Sequence, residues 1–213
     1  MRGAAARLWL RARGISGASC LLLLGAAPGR TGPRSLEAAS AAVRERGGVG
    51  LGDRPGRRWL RDRFRHPYLR DALLDAGIAT DTVETAAPWS RLAALSRAVP
   101  VAIGDALAAE GERGAVLCHV SHAYPDGASL YFTFFFRCPP DLDHALARWA
   151  SVKRAASGAS HAAGGTLSHH HGVGSWHAPW LGPEIGPDGV RTLAAAAAAL
   201  DPDGMMNPHV LLD

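Results

Sequence analysis

The chain of 213 residues is long enough for one substantial domain with its own hydrophobic core. Its composition, 47% hydrophobic and 20% charged, is that of a globular protein and excludes a mostly disordered chain. The formal charge of +4 is local, because arginines crowd the segment from residue 54 to residue 65. Without interleaved aromatics or a recognisable nucleic-acid module, that segment predicts a solvated helix or an approach for an anionic substrate, and no nucleic-acid partner.

The cysteines Cys20, Cys118 and Cys138 are odd in number and widely spaced, which excludes a disulfide framework and a CxxC metal site. We therefore expect a reducing, cytoplasmic compartment. The arginines before the apolar run Cys20–Ala27 give a rival interpretation, a short targeting signal within residues 1–27. That run is too short to cross a bilayer, and no transmembrane segment is predicted elsewhere.

In chain order, residues 1–17 predict an irregular lead-in, and residues 18–213 predict one domain. Cys20–Leu24 predicts a buried strand, Ser35 to Arg46 a helix, and Val49–Leu51 a short strand. In the arginine-rich segment, side chains at helical spacing are expected to face the core: Trp59, Leu60 and Phe64.

The middle of the chain predicts a strand over residues 78–85, a helix over residues 91–110 kinked by a proline, and a hairpin of strands 115–122 and 129–136. Period two places Tyr131, Thr133 and Phe135 on one face of the last strand. A helix is predicted from about residue 143 to 156, with an inner stripe of Leu142, Leu146 and Trp149. A further helix should begin at Asp188 or Gly189. The fold class predicted is α+β, an antiparallel β-sheet flanked by helices.

The most chemically loaded stretch is Gly164–Gly174, in which His169, His170 and His171 lie between a glycine pair and a Gly-Val-Gly turn. Glycine permits positive φ and a close backbone approach to a ligand. Histidine carries protons or binds metals near neutral pH. The stretch predicts an active-site loop, with a solvated histidine-rich turn as the plainer alternative.

In an extended backbone, His169 and His171 point to one side and His170 to the other, so at most two imidazoles share a pocket unless the chain turns sharply. This argues against a zinc site built by the tract alone, although a metal could recruit His119 or His122 from the hairpin. We therefore predict no metal site, and a histidine-based metal-binding protein remains an alternative.

Acid–base chemistry requires less: one or two imidazoles and a phenol at a reacting centre, with an arginine holding an anionic group of the substrate. Tyr131, in a stiff strand, is the candidate phenol. Arg70 is the candidate anion clamp, and a structural salt bridge to a nearby acid is the alternative interpretation. The sequence has no P-loop, no GxGxxG fingerprint and no nucleophile elbow, so it carries no nucleotide-phosphate cradle.

Five stretches in this order and spacing resemble the C-terminal cap half of the FAD-linked oxidases of the vanillyl-alcohol oxidase superfamily. Within it, the resemblance is strongest to the alkyldihydroxyacetonephosphate synthase (alkylglycerone-phosphate synthase) branch. The stretches are Tyr68–Asp71, Val83–Trp89, Ser121–Phe132, Ser168–Gly174 and Leu200–Leu212. The histidine triplet with its trailing Gly-Val-Gly is the most specific of them.

The resemblance implies catalytic roles for Tyr131, His169 and His171, binding of the substrate's anionic group by Arg70, and contacts to the cofactor from His170 and Asn207. It implies FAD as the cofactor and an FAD-binding domain or subunit as the partner, because the family's pyrophosphate-binding half lies N-terminal to the cap and is absent from this sequence. One departure is that Ser175-Trp176-His177 follows Gly-Val-Gly where the family usually has a basic residue.

The implied function is that of a cap in a flavin-dependent oxidoreductase or alkyl transferase of ether lipid synthesis, inactive without its FAD-binding domain. The substrate would be small and anionic, or lipid-like. One alternative is the cap of a flavin-dependent 2-hydroxy acid dehydrogenase of the glycolate or lactate type. Another is a non-catalytic fragment.

Overall fold

The computed structural model describes residues 8–15, 20–29 and 31–212. Its contacts divide the chain into two compact units, Met1–Tyr68 and Leu69–Asp213. Much of the expected irregular lead-in, residues 1–7 and 16–17, lies outside the described residues, and residues 8–11 of the described part are helical rather than irregular. Within the described ranges, no helix is both long and apolar enough to cross a membrane.

The first unit is helical where it is regular. Helix α1 spans Gly32–Glu45, helix α2 spans Arg54–Asp62, and a 3₁₀ helix follows over Arg63–Tyr68. The strands predicted at Cys20–Leu24 and Val49–Leu51 are wrong, since both segments are irregular. An apolar run becomes a strand only where a neighbouring edge offers hydrogen bonds, and short apolar runs do not reveal whether one does.

The arginine-rich segment, which comprises helix α2 and the start of the 3₁₀ helix, does not bury the side chains that the helical spacing predicted. Trp59 is 47% exposed, Leu60 53% and Phe64 73%, so the expectation that they face a core is wrong. Helix α2 contains more arginines than large apolar side chains. Arg57 forms an ion pair with Asp53, and Arg58 and Arg61 form ion pairs with Asp62. Local charge pairs on a solvated helix supply little stability by themselves.

The second unit is a three-stranded antiparallel sheet with helices packed on one face, which confirms the predicted α+β class. Helix α3 (Leu69–Asp75) leads into strand β1 (Ile78–Pro88), and helix α4 (Trp89–Ala108) follows it directly. Strands β2 (Gly114–Ala123) and β3 (Gly127–Arg137) form the predicted hairpin. Two long helices complete the unit: α5 (Leu142–Ala162) and α6 (Ala178–Leu200).

The sheet order is β1-β3-β2, so β3 lies between the two other strands. Its alternation is as predicted: Phe132, Phe134 and Phe136 are buried against the helices. Helix α4 contributes to the same core a buried stripe at helical spacing: Leu92, Leu95, Val99, Ile103 and Leu107. The helix continues through Pro100, where a kink was predicted. The opposite face of β3 carries Tyr131.

Helix α5 buries a different side from the one predicted. Leu142 is 70% exposed and Leu146 53%, whereas Ala145, Val152 and Ala156 face the core. Small side chains let α5 approach α4 and the sheet closely, so the contact stripe follows the alanines and one valine rather than the leucines. The predicted inner stripe was therefore wrong for Leu142 and Leu146, whereas its third member, Trp149, is partly buried and packs against the core.

The C-terminal helix α6 begins at Ala178, before the predicted start near Asp188. It is interrupted at Gly186, which has φ of 72° and ψ of 170°. The predicted start therefore matches the second segment, beyond a break at which glycine alone is unstrained.

Replacing Phe132 by alanine should destabilise the protein by about 3–5 kcal/mol, because its fully buried ring leaves a cavity in the sheet–helix core. Leu117→Ala, at a leucine that is 60% exposed on the neighbouring strand, should change stability by less than about 0.5 kcal/mol. Urea unfolding of both variants measures the difference, and equal losses would contradict this assignment of the core.

Candidate active site

The site is built on the sheet face that the helices leave open. Strand pairing places Glu84 of β1 opposite Tyr131 of β3, and Tyr131 opposite His119 of β2. Side chains alternate between the two faces of a sheet, and directly paired residues share a face, so Glu84, Tyr131 and His119 all project from the open face. The Glu84 side chain is nevertheless 0% exposed, so something covers it.

The cover is the histidine loop, which is fastened to the end of β1 by three hydrogen bonds. Thr166 N donates to Ala86 O at 2.9 Å, Ala86 N donates to the Thr166 hydroxyl at 2.9 Å, and the Thr85 hydroxyl donates to Thr166 O at 2.6 Å. Gly165 lies so close to the Thr85 hydroxyl and Leu95 that a Cβ at this position would overlap them. The glycine pair therefore lets the loop approach the strand.

The three histidines reach one carboxylate because the chain turns sharply at His170. Its φ is +46°, and His171 N donates to His169 O across it at 2.7 Å. A positive φ is uncommon for a residue with a side chain, and histidine is among the residues that tolerate it better. The expectation that at most two imidazoles share a pocket named a sharp turn as its exception, and the structure has that turn.

Glu84 is the point on which the imidazoles converge. Its Oε1 lies 3.3 Å from His169 Nδ1, and its Oε2 lies 3.2 Å from His171 Nε2 and 3.5 Å from His170 Nδ1. The Oε2 atom is buried and has no partner with full hydrogen-bond geometry among the described residues. The ring nitrogen nearest to this acceptor is Nε2 of His171.

A second set of groups holds Glu84 from the hairpin side. The register shifts between Val120 and His122, which leaves Ser121 as an extra residue in β2. The Ser121 hydroxyl donates to Glu84 Oε1 and lies 2.6 Å from the Ser129 hydroxyl. His122 Nδ1 lies 3.6 Å from Glu84 Oε1.

Burial raises the pKa of the Glu84 carboxyl, but the hydrogen bonds from Ser121 and His169 and the charges of His170 and His171 outweigh it and leave the pKa below its ordinary value. Glu84 is thus a buried carboxylate, held ionised by the groups it gathers.

Tyr131 meets the histidine loop edge-on. Its ring centroid lies 5.6 Å from that of His171 with an interplanar angle of 88°. On its other side it stacks on His119 at 5.2 Å. The structure therefore brings the candidate phenol and imidazoles together, while their catalytic roles stay predictions.

A second phenol lies at the same site and was not singled out from the sequence as a site residue. The Tyr124 hydroxyl is 3.0 Å from His169 Nε2. The hairpin turn fixes the Tyr124 backbone, since Tyr124 N donates to Gly127 O at 2.8 Å and Tyr124 O lies 3.2 Å from Trp89 Nε1. Glu84 was missed as well, although an acid within a β-branched strand facing a polar loop is a signal that sequence reasoning can use.

The same atoms are spaced closely enough to hold a metal ion. One ligand atom each from Glu84, His122, His169 and His170 lies within 4.8 Å of the others. Imidazole nitrogens and a carboxylate oxygen suit zinc or another first-row divalent ion. Of the two hairpin histidines that the sequence offered for recruitment, His122 belongs to this set and His119 does not.

Arg70 and Asn207 are not joined to this cluster by any hydrogen bond or ion pair among the residues that the structure describes. Arg70 is on α3, with its Nε 3.8 Å from Asp71 Oδ1 and both side chains about two-thirds exposed, at 67% and 65%. Such a pair contributes little. Asn207 is exposed in the C-terminal tail with φ of +50°. It lines a cavity of about 350 Å³ that also includes Val173 of the Gly-Val-Gly turn.

His177 stands near the position where the resembling family has a basic residue. Burial lowers its pKa, with the charge of Lys153 adding to the effect. Its Nδ1 accepts a hydrogen bond from Gly174 N at 3.2 Å. His177 therefore binds the loop backbone, and its lowered pKa favours the neutral imidazole.

Comparison with protein families matches residues 2–211 to the FAD linked oxidases, C-terminal domain. The chain belongs to this family. The resemblance predicted from the motifs is confirmed, and so is the similarity to alkyldihydroxyacetonephosphate synthases. The synthase of Dictyostelium discoideum is 31% identical over 163 residues, and that of Trypanosoma brucei brucei is 33% identical over 166 residues.

These matches cover 76% and 78% of this chain but only 26% and 27% of the two synthases. The chain thus spans about a quarter of the length of the relatives it matches. A solved alkyldihydroxyacetonephosphate synthase structure aligns with a TM-score of 0.57 at 24% identity, over 82% of this chain and 29% of that one. At that identity, the structural likeness shows the fold.

Acid should weaken the fold through Glu84. Because its folded pKa is lowered, its stabilising contribution is present above the ordinary glutamate pKa of about 4.3 and is lost as the pH falls through the folded value. Glu84→Gln should cost about 3–5 kcal/mol at neutral pH, since it leaves the surrounding donors without their carboxylate. The gap between the two proteins should narrow in acid.

Urea unfolding at a series of pH values measures that gap. Asp188→Asn is the control, because Asp188 is 85% exposed and its ion pair is with Arg191 on the same helix. A gap between wild type and Glu84→Gln that stays constant from neutral pH down to about pH 3 would show that Glu84 does not titrate below its ordinary range.

Proposed function

We propose that this chain is the substrate cap of an FAD-dependent enzyme, and that its open sheet face closes over a flavin ring held by an FAD-binding domain or subunit. The observation that carries the proposal is that three imidazoles converge on one buried carboxylate, with Tyr131 beside His171, on the sheet face that the helices of the second unit leave open. Family membership supports FAD as the cofactor.

The residues fit a flavin ring presented from outside the chain. His170 and His171 have side chains 51% and 41% exposed although both touch Glu84, so their outer edges stay available. Tyr131 is half-buried beside them. A polar, partly open face with imidazole and phenol groups can contact a planar heterocycle and leave space for a substrate between them.

In this proposal, FAD supplies the redox and carbon chemistry when it is bound, and this chain handles protons. Tyr131 and His171 hold or move a proton at the phenol oxygen and the imidazole nitrogen, and His169 acts with them. His170 and Asn207 contact the cofactor. Arg70 binds the anionic group of the substrate, which its exposed and weakly paired guanidinium supports.

The substrate class that we propose first is a long-chain acyl ester of dihydroxyacetone phosphate, whose acyl group is exchanged for an alkyl group in ether lipid synthesis. Its support is the likeness to two synthases above 30% identity. A 2-hydroxy acid is the alternative, since Arg70 could bind its carboxylate equally well. Supplying each substrate to the loaded enzyme separates the two.

We further propose that the chain turns nothing over without the FAD-binding domain. The described residues include no glycine-rich phosphate cradle at a helix start, which tight FAD binding requires.

Because the thiols of Cys20, Cys118 and Cys138 are free, we also keep the expectation of a reducing, cytoplasmic compartment.

The test has two stages. The chain alone, mixed with FAD and dialysed, should stay colourless, and the chain combined with the FAD-binding domain of a synthase relative should retain flavin absorbance and turnover. In the combined protein, Tyr131→Phe should lower turnover by about 10²–10⁴-fold while flavin stays bound. Tyr68→Phe is the matched control, because Tyr68 is 70% exposed.

Unchanged turnover in Tyr131→Phe would remove that phenol from the mechanism. Stoichiometric zinc in the purified chain, with no flavin retained in the combined protein, would instead support the metal-binding alternative at Glu84, His122, His169 and His170.

A further inference from the structure

The protonation of one histidine follows from the chemistry of Glu84. A carboxylate accepts hydrogen bonds and donates none, so a ring nitrogen that bonds to it must carry the proton. His169 Nδ1 lies 3.3 Å from Glu84 Oε1, which makes Nδ1 the protonated nitrogen of a neutral His169. His170 Nδ1, 3.1 Å from the same nitrogen, can accept a share of that N–H.

The other nitrogen of His169 is then an acceptor, and it has a donor in place. Tyr124 presents its hydroxyl 3.0 Å from His169 Nε2. The two rings lie at 61° with centroids 5.8 Å apart, so the phenol meets the edge of the imidazole. The three groups form one line: carboxylate, imidazole and phenol.

A path for protons needs one end that a substrate can reach and one end shielded from solvent, and the two ends of this line differ in that way. The Glu84 side chain is 0% exposed and that of His169 is 17% exposed, whereas Tyr124 is 45% exposed at the tip of the hairpin. A buried carboxylate next to a shielded imidazole stabilises positive charge that forms on the ring. An exposed phenol can contact a substrate.

We propose that Glu84, His169 and Tyr124 form a proton relay, in which Glu84 is the positioning residue and Tyr124 is a second proton-transferring phenol of the site, beside Tyr131. A substrate O–H gives its proton to the Tyr124 oxygen while Tyr124 gives its own to His169 Nε2. The substrate loses one proton, Tyr124 is unchanged, and His169 becomes an imidazolium facing the Glu84 carboxylate. Use of the proton rests on the proposed function, while the hydrogen-bonded line does not.

The relay predicts a spectroscopic signature in the full chain without flavin. With ¹⁵N-labelled histidine and a chelator present, at about pH 9 and so above the ordinary imidazole pKa of about 6.5, His169 should carry its proton on Nδ1. His171, whose Nε2 faces Glu84 Oε2 at 3.2 Å, should carry its proton on Nε2. NMR correlations from ring protons to both nitrogens distinguish the two tautomers.

Variants test each member of the line. Glu84→Gln should lower the ratio of the Nδ1–H to the Nε2–H form of His169 by about tenfold, as the loss of one charge-assisted hydrogen bond predicts. Tyr124→Phe should keep the Nδ1–H form and shift only the Nε2 resonance. Glu110→Gln is the matched control, because Glu110 Oε2 lies 3.3 Å from His144 and should affect that histidine alone.

A wild-type His169 found as the Nε2–H tautomer overturns the relay, whatever the variants do. An Nε2 resonance unmoved by Tyr124→Phe overturns it as well, and this exposed substitution stays informative if Glu84→Gln does not fold. Both measurements are independent of flavin, so they separate failure of the relay from failure of the proposed function. If the flavin-loaded protein is active, Tyr124→Phe should reduce turnover and change its pH profile, and the Tyr68→Phe control should not.

Discussion

The structure of the site depends on one buried negative charge. Transferring a carboxylate from water into a protein interior is costly unless partners compensate it, and Glu84 is compensated by a serine hydroxyl and the imidazoles around it. The same requirement fixes the loop. If the histidines moved away, Glu84 would be left ionised with too few donors, so the positions of carboxylate and loop stabilise each other.

The rest of the fold prepares that encounter. The phenylalanine face of β3 packs on α4, which supports the sheet and leaves the other face to the candidate site. Three hydrogen bonds between Thr166 and the end of β1 set the height of the histidine loop above Glu84. Strain at His170, with its positive φ, is located where the imidazoles must converge. Rigid support and a strained loop together describe a preorganised site.

The hairpin, its faces and α4 could be predicted from the sequence because strong period-two and period-3.6 patterns and turn residues agree there. The prediction that Leu142 and Leu146 face the core was wrong, because the packed side of α5 is set by close approach of alanines, which hydrophobicity alone does not show. The strand predicted at Cys20–Leu24 was wrong, because a strand forms only where the edge of a neighbouring strand offers hydrogen bonds. Family motifs identified the histidine loop, but the partner of His169 is 85 residues away, and no local pattern reveals such a contact. Tyr124 was missed for the same reason, because the three-dimensional position of the hairpin turn, and no local pattern, brings its hydroxyl to His169.

The site as described requires Glu84 to be a carboxylate held ionised below its usual range. Titrating the ¹³C-labelled side-chain carboxyl of Glu84 by NMR in the full chain, with Glu84→Gln to assign the resonance, measures its pKa. Glu37, on the exposed side of α1, is an internal reference. The Glu84 pKa should fall clearly below the ordinary value of about 4.3. A Glu84 that titrates at or above that value would contradict it.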